Sequence, residues 1–112
     1  MTHVEPSVSL SGCQLVNKYS WDAKTAYAVC MAESHGNTVA TGYNSNGTVD
    51  RGLMQVNSIH ADMVQGNLAS LYDSNVNMAV AYRIYSGRVS KGENGWSAWS
   101  TWNNGIYRQF LN

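Results

Sequence analysis

Apolar residues at Leu10, Cys13 and Val16, with Leu15 and Tyr19 adding a second stripe, predict a short helix ending near Ser20. Asp22 then offers an N-cap for a second helix over residues 23–34, where Ala23, Ala26, Tyr27 and Cys30 follow one face. Glu33 falls on that same face. Helical spacing stops between Asn37 and Val56. Within that stretch Asn46-Gly47 is a strong hairpin signal, because both residues accept positive φ in a type I′ turn, and strands are expected over 41–44 and 48–50. Ser58 to Gln65 predicts a short helix. Asp73 or Ser74 caps a clearer one through Tyr85, with Val76, Ala79, Val80 and Ile84 on one face. Met78, Ala81 and Tyr82 make its other face apolar too, the mark of a largely buried central helix, and Gly87 and Gly92 close it. Trp96, Trp99 and Trp102 recur every third residue in a last helical region. The expected fold class is α+β, mainly α, with a small antiparallel hairpin region. One domain over residues 1–112 is expected, residues 1–6 forming a loose tail.

Composition narrows the function. A chain of 112 residues removes roughly two-thirds of its unfolded surface from water, so a real core is expected. It is 44% hydrophobic and 12% charged, which leaves Asn, Ser, Thr, Gly and Tyr to cover the surface. Such a surface suits a neutral polar partner such as a sugar. Seven basic residues balance seven acidic ones with no run of like charge, so nucleic acid and anionic membranes are excluded as partners. No apolar stretch is long enough to span a bilayer, and the N-terminus lacks the charged-then-apolar pattern of a secretory signal. The sequence therefore reads as a mature form with an added Met1, or as a protein released by another route. Cys13 and Cys30 are the only cysteines, either one disulfide in an oxidising compartment or two buried thiols in a reducing one. An antiparallel pair of the first two helices brings them together. His3, His35 and His60 are too scattered for a zinc motif, and neither metal nor cofactor is expected.

Two carboxylates stand out. Glu33 lies on the apolar face of its helix and at the C-terminal end, where its charge opposes the helix dipole. A carboxylate there either reaches water or holds a raised pKa, and a raised pKa is what a general acid at neutral pH needs. Asp50 alone is ordinary turn chemistry. The Gly52-Leu53-Met54-Gln55 that follows it adds a glycine that lets the backbone approach a ligand. Gln55 and Asn57 supply amides for sugar hydroxyls. Two facing carboxylates are the minimal equipment of a glycoside hydrolase.

The stretch from Glu33 to Ser58 resembles chicken-type lysozyme without a gap: Glu33-Ser34, Asn37-Thr38, Ala40-Thr41, Asn44, Gly47, Asp50, Gly52, Gln55 and Asn57-Ser58 fall in that family's register. Val76-Asn77-Met78-Ala79 is similar to the start of its long central helix, and Ala98-Trp99 with Trp102 to its C-terminal tryptophan motif. Glu33-Ser34 followed by Gly52-Leu53-Met54-Gln55, and later Ala81-Tyr82, also resembles the bacterial lytic transglycosylases of the same fold. The chain is identified as a member of the lysozyme-like superfamily with features of both branches. The resemblance implies Glu33 as general acid and Asp50 as nucleophile or stabiliser of an oxocarbenium-like transition state. It also implies that Trp99 keeps the surroundings of Glu33 apolar, and that Gln55, Asn57, Asn44 and the backbone of Ala98 line a saccharide groove. The partner implied is peptidoglycan or a related glycan, acted on by a monomer that is secreted or held in the cell wall or periplasm.

Departures from the family bear on function. Chicken-type enzymes carry four disulfides, whereas this chain has cysteines for one, and Cys30 is out of the family's register. Where the family has two sugar-stacking tryptophans after the Asn-Ser, this chain has His60-Ala61, which removes the usual distal sugar platform. The leading expectation is a muramidase that hydrolyses the β-1,4 bond between N-acetylmuramic acid and N-acetylglucosamine. A lytic transglycosylase is the alternative, and a glycan-binding relative without catalysis is a third reading. Lactalbumin-like relatives of that third kind lose the carboxylate pair and gain a cluster of aspartates; this chain keeps the pair and has only Asp73 near the corresponding region.

Overall fold

The first helical stretch winds more tightly than its spacing predicts. In the computed structural model, which describes residues 10–111, Gly12–Lys18 is a 3-10 helix that buries Cys13, Leu15 and Val16. The expected tail over residues 1–6 lies outside the described residues. Helix α1, Ala23–Ser34, matches the predicted bounds, but its buried residues are Ala26, Ala28, Val29, Cys30 and Ser34. Tyr27, assigned to that face by spacing, is exposed. Asp22 occupies the N-cap without a side-chain bond to a helix N–H, and accepts instead from the Thr25 hydroxyl. A disulfide between Cys13 and Cys30, with Cα atoms 5.8 Å apart, ties the 3-10 helix to α1.

The sheet has three antiparallel strands in sequence order, β1 (Thr41–Tyr43), β2 (Val49–Arg51) and β3 (Val56–Asn57), the last not foreseen from the sequence. The β1–β2 turn differs from the expected type I′. Only Gly47 takes positive φ, at 89°, while its N–H donates to Asn44 O and the Asn44 N–H to Thr48 O. This is a three-residue loop with a glycine bulge, so Asn46 needs no left-handed backbone. In register, Asp50 faces Gly42 on one side and Asn57 on the other.

Helix α2, Ser74–Ser90, is capped by Asp73, whose Oδ1 accepts from the N–H groups of Asn75 and Val76. It runs five residues past the expected end, through Gly87, and stops before Gly92, where φ is +77°. Its core side is Asn77, Met78, Val80, Ala81 and Ile84, whereas Ala79 is exposed, so the helix is buried on one side only. The tryptophan region is broken. A 3-10 turn, Gly95–Ala98, precedes α3 (Ser100–Asn103), and Trp99 between them is extended at φ −108°, ψ 125°. A last 3-10 helix, Ile106–Phe110, packs on α1.

Leu53, Met54 and Leu71 are fully buried between these elements, joined by Val29, Met78 and Ala81. A run of rings extends this core: Tyr19 stacks on Tyr82, Trp21 on Trp96 at 5.2 Å, and Trp96 lies 5.8 Å from Trp99. Tyr82 and Tyr85, which the sequence left open between core and groove, belong to this run. A Cβ on Gly95 would fall 2.3 Å from the Tyr85 ring, so glycine lets the Trp96 segment close on α2. The result is mainly helical with a small antiparallel sheet, the expected α+β class. Among the described residues no helix is long and apolar enough to cross a membrane.

Candidate active site

Glu33 sits in the last turn of α1, and the chain turns sharply just beyond it. The Ser34 hydroxyl donates to Cys30 O and accepts from the Gly36 N–H, each at 3.1 Å, while His35 adopts left-handed backbone at φ 53°. The carboxylate is thereby left at the helix end, partly buried. Thr101 at the start of α3 holds it: its hydroxyl donates to Glu33 Oε2 at 2.8 Å. Burial pushes the Glu33 carboxyl above its ordinary range, hydrogen bonding from Thr101 pulls it back, and the charge of Asp50 adds to the rise. Asp50 is therefore near enough to be felt electrostatically.

Asp50 is fixed on β2 by side-chain amides. Asn44 Nδ2 donates to its Oδ2 at 3.0 Å and Asn57 Nδ2 to its Oδ1 at 2.9 Å. Both donors also reach Thr48 Oγ1 at 3.1 Å, and that hydroxyl donates in turn to Asn46 Oδ1 at 2.6 Å. Asn57 Oδ1 accepts from the Ile59 N–H and so caps the helix Ser58–Val64. The hairpin thus spends on Asp50 the amide hydrogens that the sequence reading assigned to sugar hydroxyls. Gln55 is similarly committed, with Nε2 donating to Ala40 O and Gly52 O at 3.0 Å each. Its side chain crosses the space that a side chain at Gly42 would fill, and its Oε1 remains as an acceptor.

These residues line one open cleft of ≈ 480 Å³. Glu33, Asp50, Asn44, Gln55, Asn57, Ala98 and Trp99 all contribute to its wall, so the seven residues singled out from the sequence as site candidates are brought together. Trp99 is anchored by its indole N–H to Met54 O at 2.8 Å, which leaves ring surface and no donor for a ligand. The Ala98 carbonyl has no backbone or side-chain partner among the described residues. The sequence reading missed Thr101 and Thr48, which hold the two carboxylates, and the cleft residues Ile59, His60, Ile84 and Arg88. Burial lowers the His60 pKa, with opposing influences from Asp62, which raises it, and Arg88, which lowers it further. No group of three or more metal-ligating side chains occurs among the described residues.

Compared with known protein families, residues 16–101 match the one described as the lysozyme-like domain. No curated protein and no solved structure matches the chain. The matched segment spans most of the chain and contains Glu33, Asp50, α2 and Trp99. The chain belongs to the lysozyme-like domain family.

Proposed function

We propose that the protein is a peptidoglycan-cleaving muramidase, hydrolysing the β-1,4 bond between N-acetylmuramic acid and N-acetylglucosamine. One observation carries this reading: two carboxylates from different elements line one cleft in opposite surroundings. Glu33 is desolvated and its pKa raised, as a proton donor to the glycosidic oxygen requires. Asp50 is tied by two amides among polar side chains, as a nucleophile or charge stabiliser requires. The C1–O bond breaks as Glu33 gives its proton to the leaving oxygen. Water then adds at C1 and returns a proton to Glu33. Trp99 and Ile84 supply apolar wall, and the Ala98 carbonyl and Gln55 Oε1 are acceptors for sugar N–H and O–H groups.

A lytic transglycosylase is favoured by a specific feature of the same site. Glu33 is the desolvated cleft carboxylate, held by the Thr101 hydroxyl, and one such residue serves as acid and then as base. In that reaction the muramyl 6-hydroxyl attacks C1 in place of water, its proton passes to Glu33, and a 1,6-anhydro sugar forms. Mass spectrometry of muropeptides released from purified cell wall separates the two. Reducing-end muramyl products are expected, and Glu33→Gln lowers their rate by at least about 1,000-fold. Under the hydrolytic reading Asp50→Ala also costs about 100-fold or more. Anhydro products with near-normal Asp50→Ala turnover would select the transglycosylase. Lysis by Glu33→Gln at the normal rate would remove Glu33 from the acid role.

A further inference from the structure

Arg88 is the only lysine or arginine lining the cleft, and the substrate proposed above is a glycan whose one backbone-borne charge is an anion. It lies in the last turn of α2, one helical turn after Ile84, which lines the same wall. Its guanidinium is held without being used up. Nη1 donates to Ser97 Oγ at 3.2 Å, and Nε lies 3.9 Å from Glu93 Oε2, a solvent-exposed pairing worth little. Nη2 has no partner among the described residues. His60, at the kink within the 3-10 helix Ser58–Val64, lines the cleft as well, close enough for the charge of Arg88 to act on its imidazole. The remainder of the wall is amide, hydroxyl and apolar surface apart from Glu33 and Asp50.

We infer that Arg88, beside His60, forms a subsite for a carboxylate carried on the 3-O-lactyl arm of a muramyl residue. The inference rests on the peptidoglycan reading. A planar guanidinium with a free edge binds a carboxylate through charge-assisted hydrogen bonds, which are shorter and stronger than the neutral bonds a sugar hydroxyl makes. Ser97 and Glu93 fix the orientation of the fork before the ligand arrives, which reduces the ordering cost of binding. That carboxylate has two sources: the lactyl group itself where the stem peptide is absent, or the acidic residues and C-terminus of the peptide where it is present. Arg88 also occupies a position where a cation complements the C-terminal end of α2, and the experiment separates that role from ligand binding.

Calorimetric titration of the Glu33→Gln protein, which keeps the cleft without turnover, provides the test with three ligands. These are chitotetraose, the peptide-free alternating tetrasaccharide of N-acetylglucosamine and N-acetylmuramic acid, and the same tetrasaccharide bearing stem peptides. In that background Arg88→Gln is expected to weaken binding of carboxylate-bearing ligand by roughly tenfold and to leave chitotetraose within about twofold. Loss on the peptide-free muramyl ligand alone identifies the lactyl carboxylate, which the stem peptide converts to an amide; loss on the peptide-bearing one alone identifies the peptide carboxylates, and loss on both shows that the guanidinium takes either. Arg88→Lys recovers part of the affinity, and added salt shrinks the difference. Equal weakening of all three ligands, no weakening of any, or no measurable binding before Arg88 is changed would each overturn the inference. Should the unmodified protein cleave no cell wall while the Arg88-dependent difference persists, the catalytic reading fails and this subsite stands.

Discussion

Glu33 combines three constraints in one side chain: a helix end, a partly buried position and a hydroxyl partner supplied from 68 residues away. Its folded pKa is raised above that of the unfolded chain, so between the two values the folded state binds the proton and the unfolded state releases it. Stability from this group is full below about pH 4.5 and falls as pH rises through the raised value. Glu33→Gln is therefore expected to melt at a higher temperature than the unmodified protein at pH 7, with the gain disappearing below pH 4.5. Thermal denaturation of both proteins across that pH range checks this. The Thr101 hydroxyl acts in the opposite sense to burial, because it favours the ionised acid. Thr101→Val should move the alkaline limb of kcat/KM to higher pH, read from the pH profile of wall cleavage. A shift to lower pH contradicts the assigned role.

At the scale of elements, Asn77 is the joint on which the site depends. It is fully buried in the first turn of α2, accepts from the Met54 N–H at 2.8 Å, and donates to Arg51 O and Leu71 O at 2.8 and 2.9 Å. One side chain thus clamps the turn that joins β2, with Asp50, to the segment that receives the Trp99 indole. Gly52 lies so close beneath it that a Cβ would fall 2.4 Å from both Asn77 Nδ2 and Leu71 O. Asn77→Leu removes a buried side-chain partner from three backbone groups and is expected to cost about 3 kcal/mol or more, measured by urea denaturation. The carboxylate-bearing elements were legible in the sequence because each rests on local signals: a cap and apolar face for α1, a glycine turn for the hairpin. The clamp was not, since Asn77 falls within a helical pattern that records which residues are apolar and not which backbone groups need partners. Thr101, and the extended backbone of Trp99, escaped for a related reason. Regular three-residue spacing predicted continuous helix, whereas the tertiary bond from Trp99 to Met54 accompanies an extended residue that sets Thr101 at the start of a new helix. The turn at Gly47 was located correctly and its type missed, because a bulged three-residue loop uses the same Asn-Gly pair.

The whole molecule is stabilised by covalent linkage and by aromatic packing that meet in one core. The Cys13–Cys30 bond spans a sequence separation of 17 residues, and closing such a loop in the unfolded chain contributes about 3 kcal/mol. Reduction, or Cys13→Ser with Cys30→Ser, should lower the unfolding free energy by about that amount while leaving the cleft assembled, measured by denaturation with and without reductant alongside glycan binding. Loss of binding before unfolding would show that the bond shapes the site as well as the core. From the same region Trp21 leads through Trp96 to Trp99, with centroid separations of 5.2 and 5.8 Å. Three of the four indoles are therefore close enough to share excitation, and the last of them forms part of the cleft wall. If the cleft binds a glycan as proposed, tryptophan fluorescence becomes a built-in optical reporter of its occupancy, since the ring in the cleft wall communicates with those at the centre of the protein.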